Sequence, residues 1–155
     1  MNGLTAEVGY VSLIKKGEEL CGDRVETVRF EDSTTLVLAD GLGSGVKANI
    51  LSTLTSKIIA TMMANGMPVE ECVRTITRTL PICKVRKVAY STFTVMQVNQ
   101  QNEMTLLQFD NPSVILLRGG VSIHYPQEEL VIDGKKVIKS VVKVKPNDIF
   151  LTMSD

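Results

Sequence analysis

The chain has no Cys-x-x-Cys pair, a single histidine, no excess of either charge and no long apolar run, and each shortage closes off a class of function. Cys21, Cys72 and Cys83 are odd in number and widely spaced, which argues against a disulfide framework and a zinc site and fits a reducing cytoplasm. Lys plus Arg equals Asp plus Glu at 17 each, so no global positive field exists to drive nucleic-acid binding. The short basic run Lys84, Arg86, Lys87, broken by Val85, reads as a solvated loop. No charged leader precedes an apolar core, and Lys57 interrupts the longest apolar helical stretch; neither a signal peptide nor a membrane span is expected, and no membrane contact by this segment. His124, set between Ile123 and Tyr125, is expected to be structural and not a metal ligand or general base.

What is present describes a globular protein. With 155 residues, 44% of them hydrophobic and 22% charged, the chain can bury roughly two-thirds of its unfolded surface around one core, and a single domain spanning 1–155 is expected. No internal repeat or low-complexity segment occurs. Residues 7–14 (EVGYVSLI), 25–30 (VETVRF) and 34–39 (TTLVLA) read as short strands rich in β-branched and aromatic residues. From Val46 to Met63 the apolar residues Ala48, Leu51, Leu54, Ile58 and Met62 recur at helical steps, and Asn65-Gly66 supplies a stop. Pro68 opens a second helix whose stripe is Val69, Cys72, Val73, Ile76 and Leu80, ended by Pro81. Strand-like runs then return at 90–98, 103–109, 113–119, 136–144 and 148–153, separated by turn signals that include Asn111-Pro112, Gly119-Gly120 and Asp133-Gly134. Strands, two helices and strands again, without βαβ alternation, predict an α+β fold of antiparallel sheets with helices packed outside.

The stretch that poses a chemical question is LVLADGLGSG, residues 36–45. A buried strand ends in a carboxylate followed by three glycines at alternate positions, more than an ordinary turn needs. A phosphate-binding P-loop fails, because Lys47 is followed by Ala48 where a hydroxyl residue is required. Gly43-Ser44-Gly45-Val46-Lys47-Ala48 does satisfy a dinucleotide fingerprint, but that fold must return to a parallel strand ending in an acidic residue, whereas Glu70 and Glu71 fall inside the second helix. A metal site accounts for Asp40 as well: a carboxylate on a rigid strand end is a hard oxygen ligand, and the following glycine frees its carbonyl to turn toward the same cation. Asp23, in Cys21-Gly22-Asp23, and Asp155, after the last strand, are placed to join it if the sheets stack.

These residues resemble the metal-dependent protein phosphatases, the PPM family, and within it the bacterial SpoIIE-like branch. The resembling segments are EELCGDRVE (18–26), LVLADGLGSGVKA (36–48), AYSTFTVMQVN (89–99), FDNPSVILLRGG (109–120) and NDIFLTMSD (147–155), in the family's order. The resemblance implies two packed antiparallel β-sheets flanked by α-helices, an α-β-β-α sandwich. It implies hydrolysis of phosphoserine or phosphothreonine in a bacterial regulatory protein of sporulation or stress signalling, such as an anti-sigma-factor antagonist. Two ions, Mn2+ or Mg2+, would share the attacking water, with no side-chain nucleophile. Position by position, Asp40 resembles the bridging carboxylate, the Gly41 carbonyl a further ligand, Asp23 the upstream ligand and Asp155 the downstream one; Arg24 is a candidate for the substrate phosphate or for a surface ion pair. The family continues past Ser-Asp to a last strand with an Asp-Asp-x-Thr-like motif. This sequence lacks it, so the expectation is a fold incomplete at its C-terminus, weak or inactive alone, with an open sheet edge that invites pairing as a homodimer. Two alternatives stay open: a non-catalytic phosphatase-like interaction module, and a nucleotide-binding domain using residues 43–48.

Overall fold

A computed structural model describes residues 4–43, 45–79, 91–132 and 134–155. Ser44, Leu80, Pro81, Cys83, the Lys84–Lys87 run and Asp133 lie outside the described residues. The elements in chain order are strands β1 (Asp23–Phe30) and β2 (Ser33–Gly41), helices α1 (Gly45–Ala64) and α2 (Val69–Thr79), and strands β3 (Ser91–Val98), β4 (Glu103–Phe109), β5 (Ile115–Arg118), β6 (Val121–Ile123), β7 (Glu128–Ile132), β8 (Lys135–Lys143) and β9 (Ile149–Leu151). They form a six-stranded sheet, ordered β1-β2-β3-β4-β8-β7, and a three-stranded sheet, β6-β5-β9. Every pairing is antiparallel.

Side-chain alternation along β2, β3 and β4 sends opposite sets of residues to the two faces of the large sheet. One face carries Val37, Ala39, Phe93, Val95, Leu107 and Phe109 against Ile59 and Met63 of α1 and Val69, Cys72, Val73 and Ile76 of α2. Phe93 and Phe109 are cross-strand partners with ring centroids 5.2 Å apart, a pairing worth about 1 kcal/mol beyond the area it buries. The other face carries Leu36, Met96, Met104 and Leu106 against Val114, Tyr125 and Phe150, the last from β9 of the small sheet. The two sheets therefore stack, and among the described residues both helices cover the same outer face. This is the α+β arrangement of packed antiparallel sheets that the sequence predicts.

The helix α1 uses only part of the stripe predicted for it: Ala48 is buried and Ile58 and Met62 pack against the core. Its buried positions are Gly45, Ala48, Ser52, Thr55, Ser56, Ile59, Ala60 and Met63, while Leu54 is 49% exposed. Small side chains let the helix lie close to the sheet. The buried hydroxyls are satisfied inside the helix itself: Ser52, Thr55 and Ser56 donate to the carbonyls of Asn49, Leu51 and Thr53, so burial leaves no unmet donor.

Residues 7–14 form no strand. Tyr10, Val11 and Leu13 are 66%, 87% and 82% exposed. Their composition favours a strand, but strand propensity acts through cross-strand and packing neighbours, and among the described residues no strand pairs with them. Strands β6 and β7, which sequence patterning missed, are short; β6 closes on β5 through Gly119 and Gly120, at φ +60° and +78°. The expected helix stop at Asn65-Gly66 is present, with Gly66 at φ +80°. The nucleotide-binding alternative meets an obstacle here: after the helices the chain returns as β3, antiparallel to β2, where that fold requires a parallel strand.

Candidate metal centre at the end of the central strands

Asp23 is the first residue of β1 and Asp40 the penultimate residue of β2, and the register places them directly opposite each other. Opposed residues on an antiparallel pair point to the same face with Cβ atoms about 5 Å apart, and like charges there repel. The ladder continues one step further, the Gly41 amide donating to the Gly22 carbonyl at 2.9 Å. The last strand brings in a third carboxylate. The Ser154 hydroxyl donates to Asp23 Oδ2 at 2.5 Å, and the Asp155 backbone hydrogen-bonds the Asp40 carboxylate. Arg118 fixes the entry to β9, holding the covered Asp148 carboxylate through two hydrogen bonds of 2.8 Å.

The crowding has an electrostatic signature. Burial, a hydrogen bond with Asp23 and the negative charges of Asp23 and Asp155 push the Asp40 carboxyl up to about 7; the Asp155 backbone bond pulls the other way. Asp40 is thus held partly protonated near neutral pH. Because the folded value exceeds the ordinary 3.8, the stability contributed by protonated Asp40 is complete below pH 3.8 and is lost as pH rises through about 7. In divalent-free buffer, Asp40→Asn should therefore gain on the wild type in melting temperature by several degrees between pH 5 and pH 8. A gap that stays constant across that range would contradict the assignment.

Of the residues singled out in the sequence, the structure brings Asp23, Asp40, Gly41 and Asp155 to one end of the stacked sheets. Asp155 is exposed at the margin of the Asp23–Asp40 pair, and no three His, Cys, Asp or Glu side chains among the described residues stand ready to hold an ion as they are. Arg24 is engaged elsewhere: its Nε donates to Glu26 at 3.1 Å, and Lys57 approaches the same carboxylate at 3.2 Å. His124 lies just after β6, a strand of the small sheet.

Several supporting residues escaped sequence reasoning. Asn49 donates from α1 to the Cys21 carbonyl at 2.8 Å. Asn111, read as a turn former, accepts from Thr92, the partner of Asp40 on β3, and donates to Thr94. A polar residue one place after the buried Ala48 was the only signal for Asn49. Ser154, adjacent to Asp155, could have been found from its position alone.

Stacked antiparallel sheets of this kind are the fold of the PP2C phosphatase domain to which the chain is similar. The profile of the Stage II sporulation protein E (SpoIIE) family matches residues 31–155, and the chain belongs to that family. Among solved structures it is similar to the PP2C phosphatase domain, with a fragment of the regulatory domain, of the cell fate determinant SpoIIE from Bacillus subtilis: TM-score 0.80 and 21% identity, covering 94% of this chain and 43% of that one. RsbX in complex with magnesium matches at TM-score 0.69 and 22% identity over 90% of this chain and 69% of that one. A structure of the bacterial stressosome, a modular system adapted to control secondary messenger signalling, gives TM-score 0.75 and 20% identity over 94% and 74%. At these identities the likeness is one of fold. The chain spans less than half of the SpoIIE chain. No curated protein sequence matches it significantly, and no helix among the described residues is long and apolar enough to cross a membrane.

Proposed function

We propose that residues 1–155 are part of one protein serine/threonine phosphatase domain that acts with divalent cations on a phosphorylated regulatory protein in the bacterial cytoplasm. The observation that carries this reading is the placement of Asp23 opposite Asp40 near the end of the β1–β2 ladder. Two carboxylates so close are costly unless a proton or a cation lies between them. The donor set fits a hard cation in kind, being carboxylate and carbonyl oxygen with no sulfur or imidazole. Asp23, Asp40, Asp155 and the Gly41 carbonyl would hold Mn2+ or Mg2+, as one or two ions; RsbX, similar in fold, has been solved with magnesium.

When bound, such ions supply the charge that acidifies water and neutralises phosphoryl oxygens during in-line attack. The chain's own residues prepare the site. Asp40, pushed up to about 7, would have to be deprotonated to hold a cation, so affinity should rise with pH. Ser154 fixes one Asp23 oxygen by donating to it, and the other oxygen would be the one available to a cation. The phosphoprotein is expected to be of the partner-switching kind, an anti-sigma-factor antagonist being the example, in keeping with the SpoIIE family and with fold neighbours such as RsbX and the stressosome structure.

Titration of Mn2+ into the protein, followed by loss of the free-ion paramagnetic resonance signal, tests the reading. Saturable uptake that strengthens from pH 6 to pH 8, with hydrolysis of a phosphoserine peptide by the protein at its full natural length that stops on chelation, is expected. Absence of Mn2+ and Mg2+ uptake would instead favour a non-catalytic interaction module.

A further inference from the structure

The pairing of Asp23 with Asp40 needs a restraint that β1 itself does not provide. Asp23 is the first residue of β1, one step from the end of the ladder, where strands fray easily, and once both carboxyls are charged the two repel. The chain just before it, Cys21-Gly22, is not part of the strand. What fixes that chain is α1. The Asn49 side-chain amide donates to the Cys21 carbonyl at 2.8 Å, and Gly22 lies so close to the helix that a Cβ there would stand 3.1 Å from the Ala48 Cβ. From this pinned position the Gly22 carbonyl accepts the Gly41 amide, and the Cys21 thiol sulfur accepts the Asp23 amide at 3.4 Å.

We infer that Asn49 is a positioning residue of this site: through its bond to the Cys21 carbonyl it holds Asp23 opposite Asp40, against the repulsion between the two. Its relevance to metal uptake rests on the functional reading above. Asn49 itself touches neither carboxylate, and its side chain is neutral, so it adds no charge to the site. It converts the fixed seat of α1 on the sheet into a fixed distance between two strand ends. Partners that orient ligands from behind in this way govern metal affinity by about 10- to 100-fold.

The test replaces Asn49 with leucine, which keeps the size and suits a helix but cannot donate; Asn49→Ala serves if leucine does not fit. Amide hydrogen exchange read by NMR should quicken by about fivefold or more at Gly41, as loss of one ordinary hydrogen bond allows, while Val37 and Phe93 in the middle of the sheet keep wild-type rates. Mn2+ affinity should fall by about tenfold. An unchanged Gly41 amide, or quickening shared equally by Val37 and Phe93, overturns the inference. A wild-type protein that takes up no Mn2+ ends the metal reading instead, and the Gly41 amide then decides the role of Asn49 by itself.

Discussion

Gly41→Ala is expected to destabilise the protein by more than about 3 kcal/mol, beyond the usual cost of overpacking a core. A Cβ on Gly41 would lie 2.0 Å from the Ala48 carbonyl oxygen and 2.6 Å from its carbon. These are backbone atoms of α1, so no side-chain rotation can relieve the overlap; either the helix lifts or β2 shifts. Lifting α1 strips Ile59 and Met63 from the sheet core. The comparison is Gly43→Ala, where open space surrounds the site but φ is +94°, a strain of about 1–2 kcal/mol. Urea unfolding midpoints for the two variants should rank Gly41→Ala well below Gly43→Ala. A Gly41→Ala protein within 1 kcal/mol of wild type would mean that α1 does not sit where it is described.

That contrast answers the question posed by the three glycines. Alternate glycines after a buried strand suggested that something approaches the backbone closely, and a cation was the natural candidate. The structure adds a second visitor. Gly41 makes room for the backbone of α1, Gly43 takes a left-handed turn, and Gly45, at φ +68°, has the Glu18 carboxylate 2.5 Å from where its Cβ would be. Glu18 brings a negative charge to a helix with no acidic residue in its first turn, which favours the helix dipole. Five residues, 41 to 45, thus serve packing, turning and the approach of a carboxylate, and spacing alone could not separate these roles.

What was legible in the sequence was what local pattern encodes. The strand runs around Leu36, Phe93 and Leu106 and the stripe Val69, Cys72, Val73, Ile76 state their faces directly, because burial there is apolar. α1 was read only in part because its buried face includes Ser52, Thr55 and Ser56, residues whose hydroxyls are silenced by bonds to their own helix. Residues 7–14 were misread for the opposite reason: a strand needs a neighbour, and composition does not say whether one exists. The convergence of Asp23, Asp40 and Asp155 came from family resemblance more than from spacing, since contacts spanning 131 residues, as between Ser154 and Asp23, leave no local trace. Asn49 was invisible because its role lies in a bond to a backbone carbonyl, which any sequence can supply.

Asp40→Ala is expected to separate function from folding. In a purely structural role, removing a half-buried, hydrogen-bonded side chain would lower stability. Here the carboxylate is held above its ordinary range by burial and by two neighbouring charges, so at pH 8 its removal relieves repulsion, and the metal-free variant should melt at or above the wild-type temperature. Mn2+ affinity and phosphoserine-peptide hydrolysis should nevertheless fall by more than about 100-fold, the upper end of what losing a mere outer partner does. Asp23→Asn should produce a similar loss, and the double variant should be little worse than either alone, because two ligands of one centre fail as a unit. A stability gain joined to loss of both metal and turnover is the pattern of a strained site maintained for its chemistry. Activity within tenfold of wild type in Asp40→Ala would remove Asp40 from the site, and with it the reason for β1 and β2 to end in opposed carboxylates.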